Sequence, residues 1–245
     1  MLTASEQSSF IEAELCLMEA PSKLGVTGAK TRWDDLQYNH VVQTHVVHDV
    51  VGPSYTPDQP GVDADRTLTK GHFLPWHRYY IAIHGSLLRD ECGYTGALPY
   101  VDMPSPILVI ESALSLCDSR YWDETADSRL SSLLDSPVFQ KSAFGGTGSG
   151  SNRYITDGPF ANTTLRLQRP GQAAREYRIS RTLSTRFLGG AGQASLDACF
   201  QVRTYTAAWE CWHGQTHSAG HISIGGLNGD VVLSPGDPAF FLHVS

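Results

Sequence analysis

Apolar side chains recur at helical spacing over residues 10–20, FIEAELCLMEA, and the run meets Pro21, which predicts an amphipathic helix ending there. A second helical pattern covers 33–48, WDDLQYNHVVQTHVVH, with Asp34 or Asp35 placed at its start, where a carboxylate meets unpaired amides. Residues 49–71 hold three prolines and four aspartates without any period, and predict a long loop. The helical pattern resumes over 76–90, WHRYYIAIHGSLLRD. The middle of the chain is rich in turns. GGTGSGSN at 145–152 is flexible by composition, and TDGPFAN with TLRLQRP predicts a turn followed by a short strand. Near the end, SPGDPAFFLHVS starts another helix, with Asp237 suited to the N-cap and Pro238 to the first helical position.

Composition narrows the classes. With 245 residues, 41% hydrophobic and 18% charged, the chain can bury a core as one domain over 1–245. A net charge of −7 argues against a nucleic-acid binder, which needs clustered Lys and Arg. No run of 18 apolar residues predicts a membrane span. MLTASEQSSF carries neither a basic nor an apolar leader segment, so the chain as written is expected in the cytoplasm, or secreted if its start is misassigned. The five cysteines are too few and scattered for a disulfide scaffold, and no C-x-x-C is present.

Histidine carries the chemistry. Six of ten histidines lie between His40 and His84, four between His213 and His243, and the 128 residues from 85 to 212 contain none. Sites built from imidazole favour copper or zinc over hard oxygen-loving ions. His217 and His221 in H-S-A-G-H are an i, i+4 pair, one face of a helical turn. In the first cluster, His40 and His48 are about 80° off register on a straight helix, so both reach one ion only if the helix ends before His48. Spacing thus predicts a helical protein with a polyhistidine metal site.

Several segments resemble a known family. GHFLPWHRYY is similar to the first metal motif, F-L-x-W-H-R-Y, of tyrosinases and molluscan-type hemocyanins. ECGYTGALPYVDM, TDGPFANTTLRL and THSAGHISIGG followed by SPGDPAFFLH resemble fungal members, in the same order, from about residue 8 to 243. The resemblance implies a mainly α fold: a tyrosinase-like four-helix bundle core with long loops and a few short strands. Its cofactor would be two copper ions, three histidines each, with dioxygen bridging them. His40, His48 and His77 match the first copper's ligands, and His217 and His221 two of the second's.

The pattern is broken in places. The family's third ligand to the second copper is the second histidine of F-F-L-H-H; His243 matches the first, and Val244 stands at the ligand position. Because an intron donor GTAAGT read in frame encodes Val-Ser, the chain is expected to be truncated at Val244-Ser245. The segment from His48 to His77 is longer than in the family, which makes His72 a rival ligand. A family glutamate is replaced by Gly85, beside His84, and two family tryptophans by Val101 and Met103. No cysteine stands two residues before His48, so a Cys–His thioether is not expected.

The implied function is that of a tyrosinase-like copper enzyme, an oxidoreductase or monooxygenase acting with dioxygen on a small phenolic or aromatic substrate, as a tailoring step in fungal secondary metabolism. His213 and Ser218 would line its entrance, and Trp76 and Tyr79 are core packing or a substrate platform. The alternative is a cyclopenase-like enzyme using a single zinc as Lewis acid in a ring contraction. A third reading is a non-catalytic, degenerate relative.

Overall fold

The computed structural model describes residues 3–25, 28–51, 66–98, 122–167 and 173–244, without the side chains of 42–51, 66–72, 74 and 167. Helix α1 spans Ala4–Glu19 and begins six residues before the apolar run, because Thr3 and Glu6 close a capping box. The Glu6 carboxylate accepts from the Thr3 amide at 2.7 Å while the Thr3 hydroxyl accepts from the Glu6 amide at 3.3 Å. Phe10, Ile11, Leu17 and Met18 form its buried face.

Both aspartates at the start of α2 (Arg32–Val51) are used. Asp34 accepts from the Lys30 and Thr31 amides, and Asp35 from the Lys23 amide and the Arg32 guanidinium. Helix α3 spans Arg66–Cys92. Residues 66–71 are therefore helical, which corrects the loop expected over 49–71, while 52–65 lie outside the described residues. Pro75 sits inside α3 rather than before it. A proline there removes one ladder hydrogen bond, and the tertiary packing of Trp76, Tyr80, Ile83 and Leu88 outweighs that cost.

The two cysteine pairs were not legible from spacing. Cys16 in α1 is bonded to Cys92 at the end of α3, across 76 residues of sequence. Cys199 in α5 (Gln193–Phe200) is bonded to Cys211 at the end of α6 (Tyr205–Cys211). Closing a loop of the first length removes disorder from the unfolded chain and contributes on the order of 4 kcal/mol in the chain-entropy account.

The segment 122–167 begins with the short helix α4 (Glu124–Asp127), capped by the Asp123 carboxylate. It ends in strand β1 (Thr164–Leu167), antiparallel to β2 (Arg175–Arg178) with Thr164 opposite Arg178. The expected strand after TDGPFAN is β1. Beneath it, Phe144, Phe160, Leu133 and Ile155 extend the core that Trp33, Leu36, Phe240 and Leu242 form with the helices. No helix is long and apolar enough to cross a membrane among the described residues.

The last elements close the site. After α6 comes a π-helical turn, Trp212–His217, and then α7 (Ser218–Ile224). Helix α8 (Ala239–His243) follows, its first free amide, that of Ala239, held by the Asp237 carboxylate at 3.0 Å. Asp237 thus holds the first helical amide, but Pro238, expected at the first helical position, is itself the N-cap and the helix starts at Ala239.

Candidate metal centre

Histidines from four stretches of chain meet around Phe240. The ring of His40, from α2, is 6.2 Å from that of His77, from α3, and His77 is 6.2 Å from His217. His217, at the end of the π-helical turn, and His221, on α7, lie 4.5 Å apart, and His243, on α8, is 4.5 Å from His221 and 5.2 Å from His217. The Phe240 ring touches His40, His77 and His221 at 5.7, 6.2 and 5.9 Å, an apolar floor between the two groups. Donor atoms of His217, His221 and His243 all lie within 4.8 Å of one another, which fits a shared ion.

The rings are aimed by what lies behind them. His40 Nδ1–H donates to the Val232 carbonyl at 3.2 Å, and His77 Nδ1–H to the Phe73 carbonyl at 2.9 Å. His221 Nδ1–H donates to the Asn228 carbonyl and to its side-chain oxygen, at 2.9 and 2.8 Å. Since a carbonyl only accepts, each of these rings carries its hydrogen on Nδ1 and keeps a lone pair on Nε2 for an electrophile. Outer acceptors of this kind orient metal-ligating imidazoles.

Burial also keeps the rings neutral. It lowers His40 to about 3, helped by the neighbouring His77. His77 falls to about 4, mainly through burial. Burial and the neighbouring imidazoles hold His217 and His221 well below the ordinary histidine value. A metal ligand must be deprotonated, so the donor set is ready to bind at neutral pH. The same shifts predict acid sensitivity. The unfolded chain takes up protons below about pH 6.5, whereas the folded site resists until about 3–4, so stability is lost as pH falls through that window. Between pH 7 and 5, thermal melting of chelator-treated protein should report a loss of about 2 kcal/mol for each of His40 and His77. A melting temperature that is flat across that range would contradict it.

Of the histidines expected as ligands, the structure brings together His40, His77, His217, His221 and the second-rank His243. Helix α2 continues through His48 to Val51, so the condition for His40 and His48 to share an ion, an earlier helix end, is not met by the backbone. The side chains of His48 and His72 lie outside the described residues, as do Val101 and Met103. His84 faces away from the cluster: its Nε2 lies 3.1 Å from the buried Glu14 carboxylate, and its ring stacks on Phe241. At Gly85, a Cβ would fall 2.4 Å from Leu98, so that position is filled from a neighbouring loop.

The rim is aromatic. Phe73 lies 4.1 Å from His77, 4.6 Å from Trp209 and 4.8 Å from His217. Trp209, His213 and His217 stack in sequence at 5.1 and 5.5 Å. The Ser218 hydroxyl donates to the His213 carbonyl at 2.6 Å. Trp76 packs against Tyr80, as a core residue would, whereas Tyr79 is exposed and is not core packing. Glu124 was missed. Its carboxylate accepts from His243 Nδ1–H at 2.5 Å, and nothing in its local sequence connects it with a histidine 119 residues away.

Comparison with known proteins agrees with this layout. The family model "Common central domain of tyrosinase" matches residues 30–243. The N-acetyl-6-hydroxytryptophan oxidase ivoB of Emericella nidulans is 29% identical over 274 residues, 99% of this chain and 69% of that protein. The tyrosinase-like protein orsC of the same organism is 26% identical, over 99% of this chain and 68% of its own length. A tyrosinase of Streptomyces lincolnensis is 32% identical, over 74% of this chain and 63% of its own. A match through nearly the whole helical core, together with imidazoles from α2, α3 and α7 around one floor, places the chain in the tyrosinase family of oxidoreductases, among its fungal tyrosinase-like members.

Proposed function

We propose that this protein is a copper oxidase that uses dioxygen to oxidise a small phenolic substrate, as a tailoring step in fungal secondary metabolism. The observation that carries this reading is the meeting of two imidazole pairs, His40 with His77 and His217 with His221, across Phe240. Two such pairs suit two ions, one at each side of a shared space. The copper ions, when bound, supply the redox chemistry toward dioxygen.

The chain's own residues do the rest. The Val232, Phe73 and Asn228 carbonyls hold three of the rings in one tautomer. Phe240, Tyr80 and Phe241 keep water from the floor. An aromatic substrate would pack at the rim against Phe73, Trp209 and His213, whose planes offer both edge and face contacts. The relatives ivoB and orsC support phenolic tailoring chemistry by family, and the former's named substrate, an N-acetyl-6-hydroxytryptophan, is a phenolic indole. The two disulfides support assembly in an oxidising compartment.

A single-zinc enzyme remains the competing reading, favoured by Val244 at the family's ligand position. Metal analysis with oxygen-uptake assays on 4-methylcatechol separates the two. Two coppers per chain with catechol-dependent oxygen uptake support the proposal. One zinc with no oxygen uptake by the copper-reconstituted protein would overturn it.

A further inference from the structure

His243 stands one residue before the position where the family places its last ligand, yet its ring lies inside the cluster rather than behind it. Its donor atoms fall within 4.8 Å of those of His217 and His221, and its ring packs against both of theirs. Room for it is made by Gly220. A Cβ at that position would lie 2.2 Å from His243 Cε1 and 3.0 Å from the Glu124 carboxylate, so no side chain fits between α7 and this pair.

The tethering of His243 repeats the arrangement of the other rings. Its Nδ1–H donates to Glu124 Oε1 at 2.5 Å, as His40, His77 and His221 donate theirs to carbonyls. Its other nitrogen, Nε2, turns toward the cluster and lies 2.9 Å from the His217 carbonyl oxygen, which only accepts, so in the metal-free protein Nε2 donates a hydrogen there. Taking up an ion requires this ring to release that hydrogen and its bond to the carbonyl, while the Glu124 contact stays in place. Glu124 is buried, at 3% exposure, and Asp123 anchors the turn that carries it. A buried carboxylate behind an imidazole fixes its tautomer and raises its basicity.

We propose that His243 supplies the third imidazole of the second metal position, in place of the residue at 244, and that Glu124 is the positioning residue that presents it. The proposal rests on the metal-enzyme reading above and specifies the ligands of one of its positions.

The test uses the metal alone. In full-length protein labelled with nitrogen-15 at histidine, titration with zinc(II) should move the Nε2 resonance of His243 together with those of His217 and His221. If only the latter two move, His243 is a clamp and the proposal falls. Dialysis against copper(II) followed by metal analysis gives the second readout. Glu124→Ala should weaken binding at this position by roughly 10–100-fold, and Glu124→Gln, which keeps an accepting oxygen, by less. His243→Ala should lose one ion. A wild-type chain that binds two ions, with His243→Ala also binding two at unchanged affinity, overturns this inference and leaves the proposed function standing. A wild-type chain that binds a single ion, lost in His243→Ala, supports the ligand assignment and removes the two-copper reading. A wild-type chain that binds no ion overturns both.

Discussion

His77→Ala is expected to abolish oxidation of 4-methylcatechol, with a loss of at least about 10³-fold in turnover, equivalent to about 4 kcal/mol of barrier. His77 is the ring between the two groups: 6.2 Å from His40 on one side and 6.2 Å from His217 on the other. Without it, α3 offers no other described imidazole to the cluster, since His84 is turned toward Glu14. One metal position is then reduced to His40 among the described residues, too few protein donors to hold an ion against solvent. The fold should tolerate the change, because a buried imidazole that must stay neutral contributes no ion pair, and its ring contacts with Phe73 and Phe240 are the main loss. Oxygen uptake, copper content and circular dichroism measured together check the result. An active variant with its full metal complement would remove His77 from the site.

The largest effect on stability is expected at Asp237→Ala. Arg181 and Asp237 are both fully buried and joined by two hydrogen bonds of 2.7 Å. The two Nη1 hydrogens are held by the Phe144 and Gly145 carbonyls, at 2.6 and 2.9 Å. Removing the carboxylate strands a positive charge in the core, which costs about 3–5 kcal/mol. For a chain of this size that corresponds to a fall in melting temperature of about 10 °C. Asp237 also holds the first amide of α8, so metal affinity should fall with stability, because α8 carries Phe240 and His243. Replacing both partners, Arg181→Met with Asp237→Leu, should cost less than the single change. Differential scanning calorimetry decides between them; a single variant that melts within a degree or two of the parent would contradict the pairing.

Helices α1 and α2 were legible because each carries its own signal, whereas α4, α5 and α6 were not assigned from the sequence. Residues 10–20 and 33–48 repeat apolar positions at helical spacing, and the structure extends these helices only where local chemistry acts, at the Thr3–Glu6 box and through to Val51. The start of α3 was not legible, since Pro75 reads as a boundary and only packing against α1 and α2 keeps it within a helix. At the site, the i, i+4 spacing of His217 and His221 and the W-H-R segment around His77 are local patterns. The contacts of Glu124 with His243, Val232 with His40, and Asn228 with His221 are set by tertiary folding, across 119, 192 and 7 residues. The cysteine pairs share that difficulty: nothing along the chain brings Cys16 near Cys92 until α1 lies against α3.

The π-helical turn at Trp212–His217 has a consequence for how this chain can vary. Such a turn accommodates one residue more than an α-helix allows, and here the surplus is absorbed between the rim and the ligand pair. Deleting a single residue in 212–216 would restore regular winding without lengthening or shortening the flanking helices. Rewinding the same residues as regular α-helix without a deletion would instead swing Trp209 by about 100° relative to His217 and His221. Relatives that wind this stretch as regular helix at the same length would therefore present a different wall to the incoming ring above an unchanged pair of donors, a route to new substrate preference that leaves the inner chemistry alone.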